Sequence, residues 1–163
     1  MRPITPCLWF DGKAEEAARL YTSIFPDSHI LKVHRAPADN PSGKKGDVLS
    51  VDFTLNGSPY IALDGGPDFT FNEAVSFTVE CKDQAEIDHY WTALLAGGGE
   101  ESVCGWLKDR FGVSWQVVPQ RINDLLDGDD REGAKRAFEA MMGMVKLDIR
   151  ELESAYKGQP VHA

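Results

Sequence analysis

The chain of 163 residues has few of the features that mark secreted, membrane-spanning or disulfide-bonded proteins. Its three cysteines are odd in number and lack CxxC spacing, so neither a disulfide framework nor a zinc site is indicated. No apolar run approaches the roughly 18 to 20 residues that a transmembrane helix needs. The first apolar run is short and leads directly into Asp11, so no signal peptide is predicted. We therefore expect a cytoplasmic protein without a membrane partner.

Positive charge is also scarce. Lys and Arg together number 17 against 26 acidic residues, which gives a net charge of −9. Nucleic-acid binding requires clustered Lys and Arg to neutralise phosphates, so the composition argues against a nucleic-acid partner. An acidic surface of this size mainly favours solubility. An acidic substrate would have to be bound by isolated Lys or Arg residues.

What the chain does have is the same strand–helix pattern twice, seventy residues apart. In each copy an apolar strand leads into a helix whose apolar residues fall at offsets 0, 3, 4 and 7, as on one face of a helix. These residues are Ala17, Leu20, Tyr21 and Ile24 in the first copy, and Ile87, Tyr90, Trp91 and Leu94 in the second. Short alternating strands follow each helix. The sequence therefore predicts an α+β fold of tandem βαβββ modules.

We expect one domain over 1–163, with the first βαβββ unit at about 3–66 and the second at about 73–119. Helical patterns over about 121–157 have no counterpart in the first half and form a C-terminal appendage. Two roles remain open for these helices. They either cover an exposed end of a sheet or form a subunit contact or a pocket lid.

The glycine-rich and histidine positions do not indicate a cofactor or metal site. A phosphate cradle needs glycines between a strand and the start of a helix, whereas Gly97–Gly99 follow a helix. Asp64–Gly66 follow a strand with no helix after them, so a Rossmann-type nucleotide or S-adenosylmethionine site is disfavoured. His29 and His34 point to opposite faces of one predicted strand and cannot chelate one ion.

Three strings in this chain resemble one family. TPCLWFDGKAEEAARLYTSIFPDS, GWLKDRFGVSWQVVP and MVKLDIRELESAY are similar to the PhnB-like group, described as 3-demethylubiquinone-9 3-methyltransferase. That group belongs to the vicinal oxygen chelate superfamily, with glyoxalase I, extradiol dioxygenases and bleomycin-resistance proteins. The resemblance covers nearly the whole chain, including the tail. It implies glyoxalase-like curved mixed sheets and a homodimer, although no motif for methyl transfer is visible here.

In the metal-using members of this superfamily, the two units hold a divalent ion through His and Glu side chains. The matching positions here are Ile4 or Pro6, a position near Asp64, a position near Ala74, and Gln116. Zinc takes about four nitrogen, sulfur or carboxylate ligands, and this set offers only one carboxylate. We therefore expect neither a metal nor another cofactor.

The resemblance leaves a sheet concavity whose lining follows from strand parity, because residues two apart share a face. Phe77 and Val79 are expected on the second helix, as Cys7 and Trp9 are on the first. Polar side chains would then line the concavity and bind a small polar organic molecule. The predicted ligand-binding residues are Gln116, Ser114, Ser76, Thr78, Asp64, Tyr60 and Asp52. Gln116 is the expected ligand-orienting residue, bonded to water or to a neighbour such as Ser76, Thr78 or Asp64 when no ligand is present.

Three functions remain open, and no catalytic residue can be named. The leading hypothesis is a metal-independent protein or enzyme that binds a small molecule. The second is a metal-dependent lyase or dioxygenase of the same superfamily, with displaced ligands. The third is a binder that sequesters a toxin or drug in a groove lined by aromatic residues, for which Trp9, Trp106 and Trp115 are candidates.

Overall fold

The computed structural model describes residues 4–159, and the chain divides into two compact units. The first unit ends at Phe71 and the second begins at Asn72. Each unit contains a strand, a helix and three further strands, in that order. The predicted tandem βαβββ fold is therefore confirmed. Within the described residues, every helix is too short or too polar to cross a lipid bilayer.

The first unit is a four-stranded mixed sheet with one helix. Its elements are β1 (Cys7–Phe10), α1 (Ala14–Ile24), β2 (Ile30–Arg35), β3 (Val48–Leu55) and β4 (Ser58–Asp64). The strand order is β1-β4-β3-β2, and we call this sheet 1. β1 runs parallel to β4, whereas the other pairs are antiparallel. The β3–β4 turn is made by Asn56 and Gly57, both with positive φ, as an Asn-Gly hairpin requires.

One face of sheet 1 forms the core of the first unit. The alternation in β3 is confirmed, because Val51, Phe53 and Leu55 are buried. α1 covers this face with a run of buried residues that includes Ala14, Ala17, Ala18 and Tyr21. Small alanine side chains at these positions let the helix approach the sheet closely.

The prediction for β1 is wrong by one residue. Leu8 and Phe10 are the buried residues of this strand, whereas Cys7 is exposed and Trp9 is half-buried. Trp9 packs beside the end of β4, where its indole donates a hydrogen bond of 2.8 Å to Gly66 O. A Cβ on Gly65 would lie 2.3 Å from the same ring, so only glycine leaves room for it. With Trp9 in this position, Leu8 and Phe10 lie on the opposite, buried face of β1.

The second unit repeats the arrangement. Its elements are β5 (Ser76–Cys81), α2 (Gln84–Leu95), β6 (Glu100–Glu101), β7 (Trp106–Lys108) and β8 (Ser114–Pro119). The strand order is β5-β8-β7-β6, and we call this sheet 2. α2 covers one face of it, where Ile87, Trp91, Leu94, Leu107, Trp115 and Val117 are buried. Trp115 and Val117 therefore lie on the helix-covered face, as predicted.

Three C-terminal helices belong to the second unit: α3 (Ile122–Leu126), α4 (Arg131–Gly143) and α5 (Ile149–Lys157). They share a small core of Leu125, Ala137, Met144, Leu147 and Leu152. Val118 of β8 packs against this core. The helices thus cover the end of sheet 2 near Val118, which agrees with the first of the two predicted roles.

Candidate functional site

The face of sheet 2 opposite α2 carries two rows of mainly polar side chains, and we call it the polar face. Directly paired residues on neighbouring strands share a face of the sheet. One row consists of Glu100, Lys108, Ser114 and Ser76, and the other of Trp106, Gln116 and Thr78. The two rows bring together four of the predicted site residues from β5 and β8, which are Gln116, Ser114, Ser76 and Thr78.

Gln116 has the orientation that the sequence predicts. Its amide Nε2 donates a hydrogen bond of 2.8 Å to Ser76 Oγ. This bond links β8 to β5, and it holds the half-buried amide against the polar face. The Ser76 hydroxyl accepts this bond and keeps its own proton for another acceptor. The predicted Gln116–Ser76 contact is therefore confirmed, and a role in ligand binding stays a prediction.

Ser114 is the most unusual polar residue of this face. It is only 2% exposed, and its Oγ has no hydrogen-bond partner among the described residues. Buried hydroxyls are nearly always paired, and leaving one unpaired costs about 1 to 3 kcal/mol. A cavity of about 130 Å³ lies beside Ser114. Ser114 is one of the residues that line this cavity, which makes its hydroxyl a candidate partner for a bound molecule.

The cavity is lined by charged and aromatic side chains as well as by Ser114. Its lining includes Glu73, Glu100, Ser102, Trp106 and Lys108. Lys108 Nζ lies 2.5 Å from Glu73 Oε1. This hydrogen-bonded ion pair lowers the pKa of the Glu73 carboxyl and raises the pKa of the Lys108 ammonium, so both groups stay charged at neutral pH.

Sequence reasoning missed Glu73, Glu100, Ser102 and Lys108, whereas it named Ser114 as a ligand-binding residue and Trp106 as a candidate for an aromatic groove. β6 and β7 have two and three residues, too few for a periodic pattern to show. The alternation of β8 gave one usable signal. It places Ser114 on the polar face, and the residue paired with Ser114 on the neighbouring strand must lie on that face too. That partner is Lys108, but identifying it requires the register of the β7–β8 pair.

Two predicted site residues of the first unit, Asp64 and Tyr60, lie on the helix-covered face of sheet 1. Asp64 is buried, and its Oδ1 accepts a hydrogen bond of 2.9 Å from the backbone N–H of Ala14, where α1 begins. Burial raises the pKa of this carboxyl, and the surrounding backbone N–H groups oppose the shift. Tyr60 stacks on buried Phe53, with ring centroids 5.5 Å apart. The structure therefore corrects the placement of both residues in a ligand pocket.

Asp52 lies on the opposite face of sheet 1 from Asp64 and Tyr60. Its Oδ2 is 2.9 Å from His34 Nε2, and both side chains are about one-third exposed or slightly more. The three predicted site residues of the first unit therefore do not share one face. The sequence correctly placed Asp52 on the face of β3 opposite its buried residues. Its contact with His34 depends on the pairing of β2 with β3.

Strand register also identifies the residue of the first unit that corresponds to Gln116. Ala62 and Val117 are buried and pair directly with β1 and β5 on the helix-covered faces. The residue before each of them is Ile61 in the first unit and Gln116 in the second. The counterpart of Gln116 is thus apolar Ile61 rather than Asp64, whose carboxylate accepts a hydrogen bond from Ala14 N at the start of α1.

The side chains at the implied ligand positions do not fit a divalent metal. Gln116 offers a neutral amide, the side chains of Ile4, Pro6 and Ala74 offer no donor, and Asp64 is used at the start of α1. In residues 4–159 no group of three or more His, Cys, Asp or Glu side chains is arranged to hold an ion. Zinc and similar ions need such a donor set.

The two sheets with their covering helices define a tandem βαβββ protein. A family model described as 3-demethylubiquinone-9 3-methyltransferase matches residues 2–118, and the chain belongs to this family. The match ends at Val118, so the C-terminal helices lie outside it, and the resemblance of the tail to the family stays a prediction. No curated protein matches the chain significantly.

Two solved structures are similar to this chain. A PhnB protein from Bacillus cereus, which carries the same methyltransferase description, is 38% identical with a TM-score of 0.65. The alignment covers 72% of this chain and 99% of that protein. A protein from Pseudomonas aeruginosa is 20% identical with a TM-score of 0.62, and the alignment covers 74% of this chain and 98% of that one. The second similarity concerns the fold alone.

The family description refers to methyl transfer, but the glycine-rich segments of this chain do not form a cofactor cradle. Gly65 and Gly66 follow β4, and Gly97–Gly99 follow α2. A dinucleotide-type cradle instead lies between a strand and the N-terminus of the next helix. The fold and the glycine positions therefore do not fit a cofactor site of the Rossmann type.

Proposed function

We propose that this protein binds a small polar organic molecule on the polar face of sheet 2, without a metal ion. The observation that carries the proposal is the Ser114 hydroxyl, which is buried, unpaired within the described chain and adjacent to a cavity. A ligand that bonds to this hydroxyl would remove the cost of leaving it unpaired. Gln116 and Ser76 add a hydrogen-bonded amide and hydroxyl on the same face.

The donor set of the chain supports the metal-free part of the proposal. The implied ligand positions carry neutral or apolar side chains, apart from Asp64, which faces α1. The alternative of a metal-dependent lyase or dioxygenase would need ligands from other residues. Metal analysis of protein purified without a chelator tests this point, and one tightly held ion per chain would contradict the proposal.

The binding site is tested by a thermal-shift screen of a metabolite library, followed by calorimetric titration of the hits. Gln116→Leu should weaken binding of a hit by about 1 to 3 kcal/mol, because it strands Ser76 and the ligand group that the amide contacts. Gln120→Leu is the matched control, since Gln120 is exposed just beyond β8.

The fold should survive the Gln116 substitution, because the packing residues of β8 are Trp115 and Val117. Circular dichroism of both variants verifies this. Equal affinity of Gln116→Leu and Gln120→Leu for every hit would show that the ligand binds elsewhere.

A further inference from the structure

The charges around the cavity are unequal in number. Lys108 is the cationic side chain of the lining, and it already forms an ion pair with Glu73. Glu100 pairs with Lys108 across the β6–β7 ladder and is exposed, but no hydrogen bond or ion pair to its carboxylate is found within residues 4–159. One carboxylate therefore remains in excess at the cavity.

Glu101 also belongs to the cavity lining, but its carboxylate is directed to the other face of the sheet. Its side chain lies on the helix-covered face, where Oε1 accepts a hydrogen bond of 2.9 Å from Trp91 Nε1. The cavity thus receives the side-chain charges of Glu73, Glu100 and Lys108, which sum to one negative charge. The net charge of −9 over the whole chain adds a field of the same sign.

Two further groups of the cavity suit a positively charged amino group. Trp106 is half-buried in the lining, and an indole attracts cations that approach its face. Ser114 Oγ is buried and unpaired, and its lone pairs can accept a hydrogen bond from an N–H donor. The unpaired hydroxyl is evidence for a ligand that does not depend on the acidic residues.

We propose that the ligand of this cavity is a small organic amine in its protonated form, with its ammonium group between Glu100, Trp106 and Ser114. The inference rests on the ligand site proposed above and adds the charge of the ligand to it. An anionic ligand would have to displace Glu73 from Lys108 and would be repelled by Glu100. A neutral ligand would leave the excess carboxylate without a partner.

The test uses three probes with the same carbon chain: n-butylammonium, n-butanol and n-butyrate. Each is titrated into the full-length protein, and binding is followed by the indole N–H resonance of Trp106, assigned by its loss in Trp106→Phe. We expect n-butylammonium to bind about tenfold more tightly than n-butanol, and n-butyrate to bind most weakly. Added salt should reduce the preference for the cation, because exposed charges are screened.

The variants separate the charge of the ligand from the existence of the site. Glu100→Gln should remove most of the preference for n-butylammonium over n-butanol. Glu139→Gln, on the exposed side of α4, makes the same change in net charge and should retain the preference. Ser114→Ala should weaken binding of n-butylammonium and of any other probe that forms a hydrogen bond with the Ser114 hydroxyl.

Two outcomes would overturn the inference in different ways. If the probes bind equally well, or n-butyrate binds best, and Ser114→Ala still weakens them, the ligand site stands and its preference for a cation is wrong. If no probe shifts the Trp106 resonance in the wild-type protein, both the cation preference and the ligand site beside Ser114 are wrong.

Discussion

At the scale of single residues, two buried serines of this protein differ in their hydrogen bonding. Ser28 Oγ donates to Pro26 O at 2.9 Å and accepts from Asn56 N at 3.1 Å, so its hydroxyl is satisfied by the fold. Ser114 Oγ is more deeply buried and has no partner within the described residues. The first hydroxyl stabilises a turn, whereas the second costs stability and is available to a ligand.

We expect Ser114→Ala to raise the free energy of unfolding by up to about 1 kcal/mol, because it removes an unpaired buried hydroxyl. Urea denaturation of the ligand-free protein measures this change. The matched variant Ser28→Ala should lower the free energy of unfolding by about 1 kcal/mol, since it strands Asn56 N. A loss in Ser114→Ala as large as that in Ser28→Ala would show that the Ser114 hydroxyl is paired in solution.

Asp64 acts at the start of α1, so its replacement should affect stability. Asp64→Ala removes the acceptor of Ala14 N, and we expect it to lower the free energy of unfolding by about 1 kcal/mol. Asp64→Asn keeps an oxygen acceptor and should lose less. Binding of any ligand found in the screen should be unchanged in Asp64→Asn, and a loss of binding would contradict the assignment of Asp64 to the helix.

The raised pKa of Asp64 predicts a pH dependence with a definite sign. The folded protein takes up a proton on this carboxyl at a higher pH than the unfolded chain does, so protonation favours the folded state. As the pH falls from neutrality toward about 4, the wild type should gain stability relative to Asp64→Asn. Urea denaturation of both proteins across this range measures the difference, and a change in favour of Asp64→Asn would contradict the prediction.

At the scale of elements, the C-terminal helices are attached to α2 by one side chain that makes two bonds. Gln84 Nε2 donates to Leu147 O at 3.1 Å, and Gln84 Oε1 accepts from Ile149 N at 3.0 Å. Lys146, in the segment between α4 and α5, forms an ion pair with Asp88 of α2, and the two side chains are 42% and 50% exposed. The partly buried amide should therefore hold α5 more strongly than the ion pair does.

We expect Gln84→Ala to cost about 1 to 2 kcal/mol and to speed hydrogen exchange in α5, because two backbone groups lose their partner. Asp88→Ala removes only an exposed ion pair and should cost less than about 1 kcal/mol. Hydrogen exchange followed by mass spectrometry compares the two variants. Equal protection of α5 in both would mean that the hydrophobic contacts of Leu147 and Leu152 suffice.

At the scale of the whole molecule, exposed strand edges predict a homodimer. β2 lies at one edge of sheet 1 and β6 at one edge of sheet 2, and Leu31 on β2 is 62% exposed. Edge strands invite pairing with another chain, and two-fold pairing is the commonest way to cover them. Sedimentation should show a dimer at about micromolar concentration. A stable monomer near 18.0 kDa would contradict this prediction.

The sequence by itself determined the elements and much of the polar face. Helical spacing and strand alternation are local patterns. They predicted both βαβββ units and the packing of Trp115 on the helix-covered face of its sheet. The same alternation placed Gln116 and Ser114 on one face of their strand, because a strand has a period of two residues. It also placed Ser76 and Thr78 on one face of the strand that contains them.

Only the tertiary structure decided which polar residues are available to a ligand. Asp64 is taken by the start of α1, a contact between residues fifty positions apart in sequence. Trp9 donates a hydrogen bond to Gly66 O, and Lys108 forms an ion pair with Glu73. Strand alternation alone cannot locate either contact. Parity within one strand is local, but register between strands and the packing of a helix on a sheet depend on the whole unit.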